Sequence, residues 1–117
     1  MNFISQLIIS ALAVIVTSLL LPGVHIDSVW TAILVAAVLA FLNTIVKPIL
    51  VILTIPITIL TLGIFLLVIN AGLILLTSKL VHGFVIDGFW TALLFSIILS
   101  FINSVFTKLS TKDEAEN

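Results

Sequence analysis

The sequence predicts an all-α integral membrane protein. It is expected to have four transmembrane helices from two duplicated helical hairpins in parallel orientation, with a short re-entrant or interfacial helix between them. Three observations carry that expectation. Of 117 residues, 62% are hydrophobic and 8% charged, whereas a soluble domain is about 45–50% apolar and about 25% charged. Charge is also unevenly placed: up to residue 107 there are only Asp27, Lys47, Lys79 and Asp87, while Lys108, Lys112, Asp113, Glu114 and Glu116 fall in the last ten residues. So few charges cannot cover a water-facing surface, and the solvent around most of the chain is lipid. Finally, the chain repeats. Displacing it by 60 residues aligns Ile4–Val46 with Ile64–Phe106 without gaps, 17 of 43 positions being identical.

Leucine and isoleucine match by chance in apolar sequences. Thr17/Thr77, Ser18/Ser78, Gly23/Gly83, Asp27/Asp87, Trp30/Trp90, Thr31/Thr91 and Asn43/Asn103 do not fall into one register that way. The expected layout is a single membrane domain over 1–107, with repeat one at 4–46, a linker helix at 48–61 and repeat two at 64–106. A charged, disordered cytoplasmic tail is expected over 108–117.

A bilayer core of about 30 Å needs about 20 apolar residues. Phe3–Leu21 supplies the first run and ends at Pro22-Gly23. It lacks the basic segment and small-residue cleavage site of a signal peptide, so it is expected to be retained. The loop PGVHIDSVWTA follows, with Gly23 ending the helix, a β-favouring triplet at Val24–Ile26, and Asp27 as N-cap of the next span. Trp30 then belongs at the lipid headgroups. The second span is expected over Val29–Val46, stopping at Lys47-Pro48. PILVILTIPITILT (48–61) is apolar, split by Pro56, and reaches only about 21 Å, too short to cross alone. Thr54 and Thr58 are placed to bond carbonyls freed by Pro56. The third span covers Leu62–Leu80. The loop HGFVIDGFWTA repeats the pattern with Asp87 and Trp90, and the fourth span covers Phe89–Phe106.

The lysines set the orientation. With cytoplasmic termini, Lys47, Lys108 and Lys112 lie inside and only Lys79 lies near the outer face. Ala32, Ala36, Ala40 and Thr44 recur every four residues, matched by Ala92, Ser96, Ser100 and Ser104, a small-residue stripe expected to bring spans two and four together. Asn43, Asn103 and the deeper Asn70 read either as polar pore lining or as interhelical hydrogen bonds, and the second is the simpler. Asp27 and Asp87 read as helix caps more simply than as an outer cation site. Lys47 ahead of Pro48 reads as a snorkelling anchor.

Several function classes are excluded. No arginine and a net charge of −1 leave no footprint for nucleic acid. No Cys, two His and isolated Asp residues give no metal-ligand spacing. No phosphate loop or nucleophile motif appears. The expectation is therefore no enzyme, no cofactor and no identifiable small-molecule ligand, with the lipid bilayer as the partner.

The stretches LPGVHIDSVWTA, NTIVKPILVILTIPITILTLGIFLLVINA and GFVIDGFWTALL closely resemble phage holin family 4 (holin superfamily IV), small four-span bacterial and phage proteins. The resemblance covers residues 1–107. It rests on Lys47-Pro48, TIPITILTLG, Val68-Ile69-Asn70-Ala71 and the Asp-x-x-Trp of each loop. Lys47 stands where many members would carry arginine, and either serves as the cationic anchor. The resemblance implies a multi-pass protein of the bacterial cytoplasmic (inner) membrane that forms homo-oligomeric lesions, and it defines no catalytic or ligand residues. A non-pore structural or accessory membrane protein is the alternative, and a small transporter a third. The polar stripe Ser10, Thr17, Asn70 and Thr77 is too thin for a water-filled channel in one copy.

Overall fold

The computed structural model describes the backbone of residues 2–116 and the side chains of residues 2–110. In chain order the elements are α1 (Phe3–Leu20), β1 (Val24–Ile26), α2 (Val29–Phe41), a π-helical turn (Leu42–Val46), α3 (Lys47–Leu53), α4 (Ile55–Leu60), α5 (Ile64–Leu80), β2 (Phe84–Ile86) and α6 (Phe89–Glu116). Phe3–Leu20, Val29–Leu53 and Phe89–Ser110 are each long and apolar enough to cross a membrane, with α5 shorter at 17 residues.

The two triplets that follow Gly23 and Gly83 pair with each other. β1 and β2 form an antiparallel ribbon with Val24 opposite Ile86, His25 opposite Val85 and Ile26 opposite Phe84. The ribbon is extended at both ends by reciprocal backbone bonds, Asp27 N–H to Gly83 O and Asp87 N–H to Gly23 O, both 3.0 Å. Gly23 and Gly83 hold φ of 90° and 89°, open to glycine and costly for other residues. Because α1 and α5 run into the ribbon and α2 and α6 leave it, the start of α1 and the end of α6 lie at the opposite pole, the terminal end.

The four long helices stand in a ring: α1 packs on α2 and α6, and α5 packs on α6 and α2. Spans two and four were expected to cross, but α2 and α6 are diagonally opposed and their small residues serve other neighbours. Ala13, Ala32, Ala71 and Ala92 are completely buried, which lets backbones approach where lipid supplies no hydrophobic drive between helices. Near the ribbon the space is filled by Val14, Val35, Ile74, Phe84 and Phe95, the two rings tilted at 5.5 Å. Thr17 and Thr77, both fully buried, donate to the carbonyls of Ala13 and Leu73 at 2.7 and 2.8 Å. Ser18 and Ser78 donate to Ile15 and Leu75.

The linker departs most from the sequence expectation. The second span does not stop at Lys47-Pro48, but is continuous from Val29 to Leu53. Pro48 has no N–H, and its ring would strike the carbonyl four residues back in a regular helix. The π-turn absorbs this by lengthening the hydrogen-bond step, with Lys47 N–H donating to Leu42 O. The segment 48–61 is thus not one linker helix. Its first part, α3, extends the second span, and Leu50 and Val51 pack, with Phe65 and Leu66 at the foot of α5, against the cluster of Leu42, Ile69 and Leu73. The chain breaks at Thr54, whose hydroxyl donates to Leu50 O at 2.8 Å and lies 3.5 Å from that of Thr58. Pro56 then opens the six-residue α4.

At the far end α6 is helical to Glu116, where a disordered tail had been expected. No glycine or proline follows Gly88, so no residue in the tail forces the helix to stop.

Candidate functional site

Helices close-packed near the ribbon separate toward the terminal end. The space between α1, α2 and α6 is a cavity of about 280 Å³, lined by Gln6, Ser10, Asn43, Thr44 and Asn103 among apolar neighbours that include Val14, Ala36, Leu39 and Leu99. A second, separate cavity of about 70 Å³ lies between α2, α5 and α6 and is lined by Lys47, Asn70, Ser96 and Ser100 among others. Leu39, Asn43 and Leu99 stand between the two and line both. The lining largely consists of positions 60 apart: Ser10 and Asn70, Val14 and Ile74, Ala36 and Ser96, Leu39 and Leu99, Ala40 and Ser100, Asn43 and Asn103. The cavity therefore sits between the two halves of the chain.

Of the residues singled out from sequence, Asn43 and Asn103 line the larger cavity and Asn43, Lys47 and Asn70 the smaller. Ser10 donates to Asn103 Oδ1 across α1 and α6 at 3.4 Å, a long bond near the limit of useful geometry. Among the described residues, the side chains of Asn43 and Asn70 take part in no hydrogen bond. Both face open space and not a helix-to-helix bond. Asn43 belongs to the π-turn, and Pro48 follows it by five residues, so the proline shapes the site without lining it. Asn103 occupies the matching place on an uninterrupted α6, where Lys108 stands in place of a proline.

Gln6 was not anticipated, because its partner 60 residues on is Leu66. The signal that would have found it is its i, i+4 spacing to Ser10, which puts both on one helix face. The small stripe divides by depth. Ala32 and Ala92 are in the dry core, while Ala40, Thr44 and Ser100 border the cavity.

Asp27, Asp87, Trp30 and Trp90 gather at the ribbon end. Neither aspartate opens a helix. Ser28 is the N-cap of α2, its hydroxyl accepting from Thr31 N–H at 3.3 Å, and α6 opens two residues after Asp87. The physical reason is that the Asp27 and Asp87 amides are committed to the ribbon, so both residues still belong to extended chain. Their carboxylates instead lie over the opposite loop's glycine. A Cβ on Gly83 would be 2.6 Å from Asp27 Oδ2, and one on Gly23 would be 2.9 Å from Asp87 Oδ2. His25 Nε2 lies 2.7 Å from Asp27 Oδ1. Trp30 and Trp90 are 76% and 74% exposed, as befits rings at a bilayer interface. Among the described residues no group of three His, Cys, Asp or Glu side chains is placed to hold a metal ion.

The family model described as mycobacterial 4 TMS phage holin, superfamily IV, matches residues 1–105. The chain belongs to that family. This superfamily IV holin relative is 40% identical over 104 residues to the uncharacterised membrane protein YvlD of Bacillus subtilis, covering 88% of the chain and 87% of that protein. It is 42% identical over 112 residues to the uncharacterised protein SCO3922 of Streptomyces coelicolor, covering 87% and 90%. No solved structure matches it. Family membership and the apolar helices together support a membrane location for this holin-family chain.

Proposed function

We propose that this protein is a holin-like, multi-pass protein of the bacterial inner membrane that permeabilises the bilayer only as an assembly of several copies. The observation that carries this reading is the one-ended cavity, which brings Gln6, Ser10, Asn43, Thr44 and Asn103 into a mainly apolar lining. It enters from the terminal end, reaches Val14 and Ala36, and stops beneath the dry core of Val35, Phe84 and Phe95. One copy thus supplies half of a partly polar path, and several copies or a rearranged bundle are needed for the rest.

Two further features belong to the reading. The halves are copies of one helical hairpin in parallel orientation, supported by the 60-residue register, the self-matching ribbon and the paired Thr17 and Thr77 bonds. The termini are cytoplasmic, supported by the placement of Lys47, Lys108 and Lys112 toward that end, against Lys79 at the other.

The test is inducible expression in a bacterium while membrane potential is followed, with and without a co-expressed endolysin. Depolarisation, with lysis only when the endolysin is present, is the expected result. A potential that holds at high membrane levels of the protein refutes permeabilisation and favours a non-pore accessory role.

A further inference from the structure

The cavity has a direction. Polar groups (Gln6, Asn43, Thr44, Asn103) are at its terminal-end mouth, and Val14, Ala36 and Leu39 close its inner end. Along α1 the lining runs from Phe3 to Val14, about 16 Å at 1.5 Å per residue, or half of a hydrocarbon core of about 30 Å. Lys47, in the neighbouring smaller cavity, is 18 residues beyond Val29, about 27 Å along the helix, at the headgroup level of the terminal-side leaflet. Within residues 1–107 the only carboxylates are Asp27 and Asp87, both beside the ribbon. Among the described side chains the two cavities therefore carry one formal charge between them, the Lys47 cation of the smaller, with amides and hydroxyls nearby able to donate.

We propose that these two neighbouring cavities together bind an anionic phospholipid from the leaflet on the terminal side. Its phosphate meets Lys47 and Asn43 at the smaller cavity, and one acyl chain passes Asn43, which borders both, to lie in the larger cavity against Leu7, Val14, Leu39 and Leu99. The charge selects an anion, since a lysine ammonium with neutral donors around it is suited to phosphate oxygens. The apolar inner end selects a lipid over a free anion, because hydrocarbon at that depth offers nothing to an inorganic ion. The order of the two surfaces, polar at the interface and apolar toward the midplane, is that of a lipid in its own leaflet. This proposal goes beyond permeabilisation and does not depend on it.

The experiment uses the full chain purified in a zwitterionic detergent, with thermal unfolding and native mass spectrometry as readouts. Phosphatidylglycerol, phosphatidylcholine of the same chains and inorganic phosphate are titrated separately. Phosphatidylglycerol should bind about tenfold or more tightly than phosphatidylcholine, with inorganic phosphate unable to displace it. Lys47→Gln should erase that preference and Lys47→Arg should keep it, the loss of one charge-assisted contact being worth about tenfold. Ala40→Leu, which fills part of the larger cavity, should weaken both lipids and provides a second variant should Lys47→Gln not fold. Equal binding of the two lipids, or an unchanged preference in Lys47→Gln, overturns the proposal. Displacement by inorganic phosphate overturns the lipid assignment. A chain that binds phosphatidylglycerol in this way yet leaves the membrane potential intact refutes permeabilisation alone.

Discussion

Gly83→Ala puts the ribbon clasp to a quantitative test. Gly83 has a φ of 89°, and an alanine forced into left-handed backbone costs about 1–2 kcal/mol. The added methyl would also sit 2.6 Å from Asp27 Oδ2, 2.9 Å from its Cγ and 3.1 Å from its Cβ. The carboxylate can swing away, giving up its exposed contact with His25, worth at most about 1 kcal/mol. The Asp27 Cβ cannot, because the Asp27 amide is bonded to Gly83 O at 3.0 Å. Disturbing that bond adds about 1 kcal/mol, so the total comes to about 2–4 kcal/mol.

The assay is equilibrium unfolding in mixed micelles titrated with a denaturing detergent, followed by helical circular dichroism. In an Asp27→Gly background the same substitution should cost only about 1–2 kcal/mol, because the side-chain contact, Cβ included, is gone while the backbone strain persists. Gly72→Ala is the control: a Cβ there meets nothing within 4 Å, and in mid-helix it should stabilise by about 0.5–1 kcal/mol. A Gly83→Ala protein within about 0.5 kcal/mol of the parent, or a cycle without coupling, refutes the clasp.

Three other outcomes follow from the packing. Ala32→Leu and Ala92→Leu, at fully buried positions, should each destabilise by about 1–3 kcal/mol in the same assay. Ala40→Leu, which borders the larger cavity, should stay close to the parent, and equal losses at all three sites would contradict the packing described. The chain has no cysteine, so the double variant His25→Cys, Val85→Cys should form an intramolecular disulfide under mild oxidation, as the two positions are direct partners. The pair His25→Cys, Val29→Cys should not, and comparable yields would refute the register. Leu62 has a φ of 56° and is 92% exposed, so Leu62→Gly should raise stability by up to about 1–2 kcal/mol. A loss there would mean that the leucine side chain contributes more than its backbone strain removes.

The long helices were legible because apolar runs bounded by Gly23, Gly83 and the polar loop residues leave few alternatives in lipid. What escaped depends on contacts distant in sequence. Asp27 and Ser28 are adjacent N-cap candidates, and nothing local reveals that the Asp27 amide is already bonded to Gly83. Lys47-Pro48 reads as a stop because a proline removes one hydrogen bond. The sequence does not show that Leu42–Val46 will take a π-turn and carry the helix past it. Asn43, Asn70 and Asn103 could each be picked out as costly polar groups in a membrane. That they border two neighbouring cavities, with Asn43 common to both, follows from the diagonal placement of α2 and α6, which the small-residue stripe alone suggests are neighbours.

The π-turn has a geometric consequence for the whole bundle. Down to Leu42 and Ile102 the two halves keep step, and there the half containing Pro48 takes one widened π-turn that the half containing Lys108 lacks. The unequal cavities, about 280 and 70 Å³, lie at this mismatch. A frame that is nearly interchangeable at one pole thus acquires a front and a back at the other. Copies meeting in a bilayer can therefore present either of two distinct flanks, and a head-to-tail ring is as open to them as a face-to-face pair.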